Sequence, residues 1–182
     1  VPVLTGTNKD ENTLFLMEKI SSERLKYQAA AYGSESLVDA YQEILPDATE
    51  TELAIELGTD FTFKIPAIRH AEDRVAHGAD TWMYQFDWES RNTNLKATHA
   101  LEIPFVFNML TSAGVGAFIG EGELPQSVAD EMHAVWTSFI KGDEPGWPKY
   151  DLKTRTVKHF DNISFLVENG ELPRLKAWEG VR

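Results

Sequence analysis

"LKATHALEIPFVF", residues 95–107, places a histidine immediately before a long apolar run. His99 is one of five histidines in the chain, and the residues that follow it are typical of a segment that enters a protein core. A histidine at the start of such a segment is suited to proton transfer at the edge of a sheet, although a lone histidine beside an apolar run is more often structural. The surrounding sequence has to decide between these two interpretations.

Two strands are predicted, and each runs into polar residues. Residues 1–6 are rich in β-forming side chains and are followed by the polar stretch 7–12. Residues 81–88, TWMYQFDW, are aromatic and β-prone, with a polar stretch at 89–94. Further short strands are predicted at 156–160 and 163–168. The first strand lacks the alternation of a half-exposed strand, so we expect it to lie within a larger sheet that is covered on both faces.

Helical patterns separate these strands. Ser36 to Leu45 predicts a helix that is ended by Pro46, and apolar residues at helical spacing from Val128 to Phe139 predict another, capped by Ser127. The glycine-rich stretch 114–122 has no phosphate-binding spacing and is interpreted as a loop. Strands alternating with helices predict the α/β class. The remaining predicted helices span residues 13–20, residues 49–57, and residues 60–76 with Asp60 as the N-cap.

Composition excludes several classes of function. The formal net charge of −12 opposes binding to nucleic acid and to anionic membrane surfaces. The absence of cysteine excludes disulfides and thiolate chemistry, and it favours a reducing compartment such as the cytoplasm. The chain begins at Val1 without an initiator methionine, so we expect it to be a piece of a longer protein.

The two predicted strands bring acidic residues and a histidine to the same edge of a sheet. Asp10 and Glu11 follow the first strand, and the loop after the second strand carries His99. A carboxylate that orients an imidazole is half of a serine–histidine–acid triad. The acid precedes the histidine in the chain, as it does in α/β-hydrolases.

Other interpretations of these residues remain open. An Asp-Glu pair after a strand is often a turn or a helix cap. His99 with Glu102 could contribute to a metal site, but two ligands do not complete one. His70 and His77 could lie one turn out of phase on a solvated helix.

The residues themselves resemble the type-B carboxylesterase and cholinesterase family. Residues 3–15, VLTGTNKDENTLF, are similar to its acid-bearing segment, G-x-x-x-D-E-G-x-x-F, and residues 82–88 are similar to its Y-x-Y-x-F-D strand. His99 to Phe107, HALEIPFVF, matches its H-x-x-E-[IL]-P-F-V-F block. The W-x-x-F pattern at 136–139, with the Gly, Pro, Trp-Pro and Tyr residues between 142 and 150, is similar to its closing stretch. The matches span almost the whole chain in the family's order.

This resemblance implies a fold and roles for particular residues. The chain would form the C-terminal portion of an α/β-hydrolase fold, with a mixed sheet and several helices. Glu11 would be the triad acid and His99 the base, with Glu102 as a carboxylate below the histidine that supports it indirectly. Phe105 and Phe107 would line the substrate pocket, although core packing explains them equally well. No metal or cofactor is implied.

Three residues depart from the family's pattern. Asn12, Lys96 and Asn108 stand where the family commonly has glycine. Because a glycine with positive φ is not freely replaced, the local geometry of these loops is expected to differ, with asparagine as the most tolerated substitute.

The family's G-x-S-x-G nucleophile and its glycine-rich oxyanion segment have no match in the sequence. The resemblance therefore implies that residues 1–182 are the C-terminal portion of a carboxylesterase domain, and that an N-terminal part of the same esterase supplies the serine. The function expected of the parent protein is hydrolysis of carboxylic esters, and this chain alone would be inactive. Alternatives are a non-catalytic adhesion module of the cholinesterase type and an independent partner-binding domain. A homo-oligomer paired through open strand edges is also possible.

Overall fold

Four strands form one sheet in the order β1-β2-β3-β4. The computed structural model describes residues 1–16, 18–92 and 94–181. Strands β1, β2 and β3 pair in parallel, and β4 is antiparallel to β3. The carboxyl ends of the three parallel strands therefore meet at one edge, as the sequence predicted for the first two. The strands are β1 (Val3–Asn8), β2 (Thr81–Phe86), β3 (Val157–Phe160) and β4 (Phe165–Val167).

Both faces of β2 are covered, which explains its continuous run of apolar residues. Trp82 and Phe86 face a core cluster that includes Met132 of helix α7 (Gln126–Ile140). Met83 faces the opposite side, where it packs with Ile68 of helix α4 (Ile65–Ala76). A sheet with helices on both faces confirms the predicted α/β class.

Gly6 lets β1 approach β2 closely. It pairs with Tyr84 in register, and a Cβ atom at this position would lie 2.3 Å from the Tyr84 carbonyl oxygen and 2.4 Å from the ring. Any larger residue would force the two strands apart.

A helical layer packs beside the sheet around the fully buried Trp178. It contains helices α1 (Ser22–Tyr32), α2 (Ser36–Ile44), α3 (Glu50–Thr59) and α4, with helix α8 (Leu172–Ala177) closing it. The predicted helix at 13–20 is wrong in the described residues, where a 3-10 helix, Glu11–Leu14, is followed by irregular chain; Met17 lies outside the described residues. The helix begins instead after Ser21, whose hydroxyl accepts from the Arg24 amide at 3.3 Å.

Asp60 is not the N-cap of a helix, contrary to the sequence prediction. It begins a π-helical turn, Asp60–Lys64, that joins α3 to α4 without a break. The Ile65 amide donates to the Asp60 carbonyl one residue before Pro66, so the wider turn precedes the residue that has no N–H to donate.

Two short helices complete the region around His99. Helix α5 (Ile103–Val106) follows the histidine loop, and helix α6 (Val115–Ile119) lies inside the stretch 114–122 that was predicted as a loop. Thr93, within the predicted loop 89–94, lies outside the described residues. None of the helices in the described ranges is both long and apolar enough to cross a membrane.

Candidate active site

Glu11 and His99 reach the same place from two neighbouring strands. The 3-10 helix that carries Glu11 begins three residues after the end of β1, and His99 lies in the loop that follows β2. The Nδ1 atom of His99 lies 2.6 Å from Oε2 of Glu11. Because an ionised carboxylate can only accept, the Nδ1–H donates to it. This is the contact that the sequence predicted.

The two side chains differ in their exposure. The side chain of Glu11 is 7% exposed, whereas that of His99 is 40% exposed. Burial is the largest influence on Glu11 and raises the pKa of its carboxyl, while hydrogen bonds from the Asn8 amide and His99 act in the opposite direction. The carboxylate is thus held inside the protein and the imidazole faces outward from it.

Both oxygens of the Glu11 carboxylate have donors. The backbone N–H of Asn8 donates to Oε1 at 2.8 Å, while His99 occupies Oε2. The carboxylate therefore cannot rotate without losing a hydrogen bond, which fixes the orientation of the imidazole.

The loop that carries Glu11 (the acid loop) and the loop that carries His99 (the histidine loop) are joined along their length by hydrogen bonds. The Asp10 amide donates to the Ala97 carbonyl at 3.0 Å, and the Ala97 amide donates back to the Asp10 carboxylate at 3.3 Å. The Thr13 hydroxyl lies 2.6 Å from the Leu95 carbonyl. These bonds hold the loops together without touching the imidazole.

Asn8 and Glu102 form a further contact behind the pair. The Asn8 side-chain amide donates to Glu102 Oε2 at 2.5 Å and to the Thr98 carbonyl at 2.6 Å. Glu102 thus contacts Asn8 and not His99, and its role as a carboxylate that supports the histidine stays a prediction. Its contact with Asn8 gives no support to a metal site with His99, and no group of three or more acidic or histidine side chains in the described residues is arranged so that it could hold a metal ion.

Two aromatic rings flank the imidazole. The ring centroids of Phe15 and Phe63 lie 5.5 and 4.9 Å from that of His99. Phe105 is fully buried against Phe86, at a centroid distance of 4.9 Å, so its position is that of a core residue. This corrects its assignment to the pocket wall and favours the packing alternative. Phe107 is 63% exposed, and its pocket role stays a prediction.

The Nε2 atom of His99 has no hydrogen-bond partner among residues 1–16, 18–92 and 94–181. With Nδ1 held by Glu11, Nε2 is the ring nitrogen that can take up and return a proton. The geometry is compatible with the acid and base roles that the resemblance implies for Glu11 and His99.

The three departures from the family's glycines have local explanations. Lys96 and Asn108 adopt positive φ values of 50° and 51°, so the backbone keeps the left-handed conformation despite the side chains. Asn12 lies in the 3-10 helix and packs over Gly58, where a Cβ atom would come within 2.2 Å of its amide nitrogen. Gly58 thus leaves room for the asparagine.

Sequence reasoning missed a second histidine–carboxylate pair. His159 at the end of β3 lies 2.8 Å from Asp87, which follows β2 and also accepts from Gln85 at 2.7 Å. Burial opposes ionisation of Asp87, but the hydrogen bond from His159 and the charge of its ring leave the pKa of Asp87 lowered. The sequence offered no motif for it, and its position between adjacent strand ends indicates a structural pair.

The sheet order, the helices on both faces and the acid–histidine pair at the carboxyl edge define a portion of an α/β-hydrolase. The chain belongs to the carboxylesterase family, whose model matches residues 1–170. This confirms the resemblance that the sequence motifs indicated.

The individual proteins to which the chain is similar are also esterases. The chain is 30% identical over 181 residues to the para-nitrobenzyl esterase of Bacillus subtilis (strain 168), a match that covers 93% of this chain and 36% of that protein. It is 29% identical to the fumonisin B1 esterase of Sphingopyxis macrogoltabida, covering 83% of this chain and 31% of the relative. A carboxylesterase structure from Geobacillus stearothermophilus superposes with a TM-score of 0.84 at 31% identity, over 97% of this chain and 40% of the other. The chain spans about a third of the length of the curated relatives.

Proposed function

We propose that this chain supplies the acid and the base of a serine carboxylic ester hydrolase, with Glu11 as the acid and His99 as the base. The observation that carries the proposal is the hydrogen bond of 2.6 Å between His99 Nδ1 and Glu11 Oε2, formed by the two residues that match the family's motifs.

In the proposed reaction, a serine from a separate polypeptide segment attacks the ester carbonyl. His99 Nε2 accepts the hydroxyl proton, and Glu11 stabilises the resulting imidazolium through Nδ1. The imidazolium then protonates the leaving alcohol, which leaves an acyl-enzyme. Water attacks the acyl group, with His99 again as the base, and releases the carboxylic acid. No cofactor takes part in these steps.

The proposal assigns the nucleophile and the oxyanion donors to a polypeptide that carries the family's G-x-S-x-G segment. Such a partner would place its serine against the free face of His99, near Phe15 and Phe63. Retention of both Glu11 and His99 in direct contact favours an enzyme over the non-catalytic adhesion module. A module of that kind has no need of an oriented imidazole.

Complementation tests the proposal. The 182-residue chain alone is expected to show no hydrolysis of p-nitrophenyl acetate and no labelling by an organophosphate probe. Addition of the nucleophile-bearing portion of a related esterase is expected to restore both. His99→Ala should lower the restored kcat by at least roughly 10⁴-fold, since the serine then has no base.

The matched control is His133→Ala, because His133 is an exposed histidine whose ring contacts the Val106 carbonyl, away from the acid loop. It should leave the restored rate unchanged. Labelling of a serine within this chain, or restored activity that is indifferent to His99→Ala, would contradict the proposal.

A further inference from the structure

Asn8 bonds to Glu11 and to the residue that precedes His99, although it is neither the acid nor the base. Its backbone N–H donates to Oε1 of Glu11 at 2.8 Å. Its side-chain Nδ2 donates at 2.6 Å to the carbonyl of Thr98, the residue immediately before His99. The side chain is almost completely buried, with 1% of Asn8 exposed. One residue therefore fixes the carboxylate and the start of the histidine loop together.

The second N–H of the Asn8 amide is also used. It donates to Oε2 of Glu102, at 2.5 Å from Nδ2. A primary amide has two N–H donors, and here both meet acceptors. The reversed orientation would set the amide oxygen against a carboxylate and a carbonyl, so the chemistry of its partners determines which way the amide points.

We propose that Asn8 is a positioning residue for the acid–base pair, and that the Glu102 carboxylate holds its side chain in the orientation that does this. The proposal rests on the proposed function for its catalytic meaning. Its structural content, that Asn8 keeps His99 Nδ1 on Glu11, can be measured on the chain itself.

Loss of the Asn8 amide removes one donor from each of its two partners. Asn8→Leu keeps the size of the side chain and the backbone N–H, but it removes both donors from a buried site. The Thr98 carbonyl would keep only its bond from the Leu101 amide at 3.2 Å, and the Glu102 carboxylate would lose its bond to Asn8, which loosens the loop just before His99. The hydrogen bond from Nδ1 should open more often as a result.

The test reads the Nδ1 proton of His99 directly. The 182-residue chain is labelled with ¹⁵N-histidine, and the signal is assigned by its loss in His99→Gln. The measurement uses solution NMR for dissolved protein and magic-angle-spinning NMR if the protein sediments. In the unsubstituted chain this proton is expected to exchange slowly with water. In Asn8→Leu it should exchange at least about tenfold faster, the change expected when a buried hydrogen bond is lost.

Thr13→Val is the matched control. It removes the Thr13 hydroxyl, which lies 2.6 Å from the Leu95 carbonyl, and so loosens the same two loops without altering the contacts of Glu11 or His99. It should leave the exchange rate within about twofold. Equal acceleration in both variants would show that Asn8 is merely structural and would overturn the proposal.

A second variant keeps the proposal testable if Asn8→Leu does not fold. Glu102→Ala alters a partly exposed residue and removes only the carboxylate that holds the Asn8 amide. A few-fold faster exchange of the His99 Nδ1 proton supports the proposal, and an unchanged exchange rate overturns it. Slow exchange in the unsubstituted chain that persists in Asn8→Leu also overturns it, while the proposed function stands. Absence of the protected proton from the unsubstituted chain would instead remove the pair on which the proposed function rests.

Discussion

At the scale of single residues, the Glu11 carboxylate is buried beside the half-exposed imidazole of His99, and this burial affects the stability of the fold. Burial is the first cause of the raised pKa of Glu11, whose ordinary value is 4.5. A group with a raised folded-state pKa stabilises the fold at pH values below its unfolded-state pKa. That stabilisation is lost as the pH rises through the folded-state pKa. At neutral pH, ionised Glu11 is therefore expected to cost stability.

Glu11→Gln should accordingly be at least as stable as the unsubstituted chain at pH 7, by up to a few degrees in Tm. The glutamine carbonyl can still accept from the Asn8 amide, and no charge has to be buried. The advantage should shrink as the pH is lowered toward 4.5, because Glu11 then becomes protonated. Thermal scans at pH 4 and pH 7 measure this.

The exposed Glu123→Gln serves as the control and should show no such pH dependence. A Glu11→Gln variant that loses stability mainly at neutral pH would show that its hydrogen bonds outweigh the cost of burying the charge. That result would contradict the prediction.

The contact between Glu11 and His99 could be predicted from the sequence, whereas the contacts of Asn8 could not. Glu11 and His99 stand in recognisable motifs, so their contact could be predicted from spacing and resemblance. Asn8 is an amide at the end of a strand, and its partner Thr98 lies 90 positions further along the chain. Only the parallel pairing of β1 with β2 brings them together, and a single sequence carries no signal for that contact.

At the level of helices and strands, local patterns gave correct results where composition or apolar spacing was distinctive and failed where neither was. Helix α7 was predicted because its apolar residues recur at helical spacing, and strand β2 was predicted because its residues are aromatic and β-prone. Helix α1 was missed because only Leu25 and Ala29 of its eleven residues are buried. The π-helical turn after α3 was missed because Asp60 has the features of a cap, and the buried interactions of its side chain come from distant residues.

These interactions form an ionic cluster that fastens helix α8 to the helical layer. The Arg174 guanidinium lies 2.8 Å from Asp60 Oδ2 and 2.6 Å from Glu56 Oε2. Asp60 is completely buried and also accepts from the Tyr41 hydroxyl. Asp60 Oδ1 has no hydrogen-bond partner in the described residues. The contact of Arg174 with Oδ2 therefore supplies the positive charge that compensates this buried carboxylate.

Arg174→Gln should therefore destabilise the chain by about 3–5 kcal/mol, because it leaves buried carboxylates without their cation. Urea denaturation followed by tryptophan fluorescence measures the loss, at a protein concentration matched between samples. Lys176→Gln on the exposed side of the same helix is the control and should change the free energy of unfolding by less than about 0.5 kcal/mol. Equal midpoints for the two variants would show that the cluster contributes nothing to stability.

At the scale of the whole molecule, the two edge strands of the sheet, β1 and β4, each have an open side in the described residues, and β1 is the longer of the two. Strand β1 pairs with β2 on one side only, and the six residues from Val3 to Asn8 leave their other edge open. An open edge presents unpaired N–H and carbonyl groups that can join a second strand. The net charge of −12 opposes pairing between two copies of the chain, but this repulsion is screened over about 10 Å at 0.1 M salt.

We therefore expect the chain to self-associate at micromolar concentration in the absence of a partner, through β1 edges related by a twofold axis. Pairing that buries about 400 Å² of apolar surface contributes roughly 10 kcal/mol before the costs of association, which exceeds the screened repulsion. Sedimentation velocity should show a mass above that of one chain, with the larger species increasing as salt is raised. Thr5→Lys, which places a charge on the edge strand, should shift the distribution toward the monomer. Glu123→Gln makes the same change of one unit in net charge at an exposed site away from the strand, and it should act only through that change. A single monomeric species with a sharp and reversible thermal transition at physiological salt would mean that these residues protect their own edge.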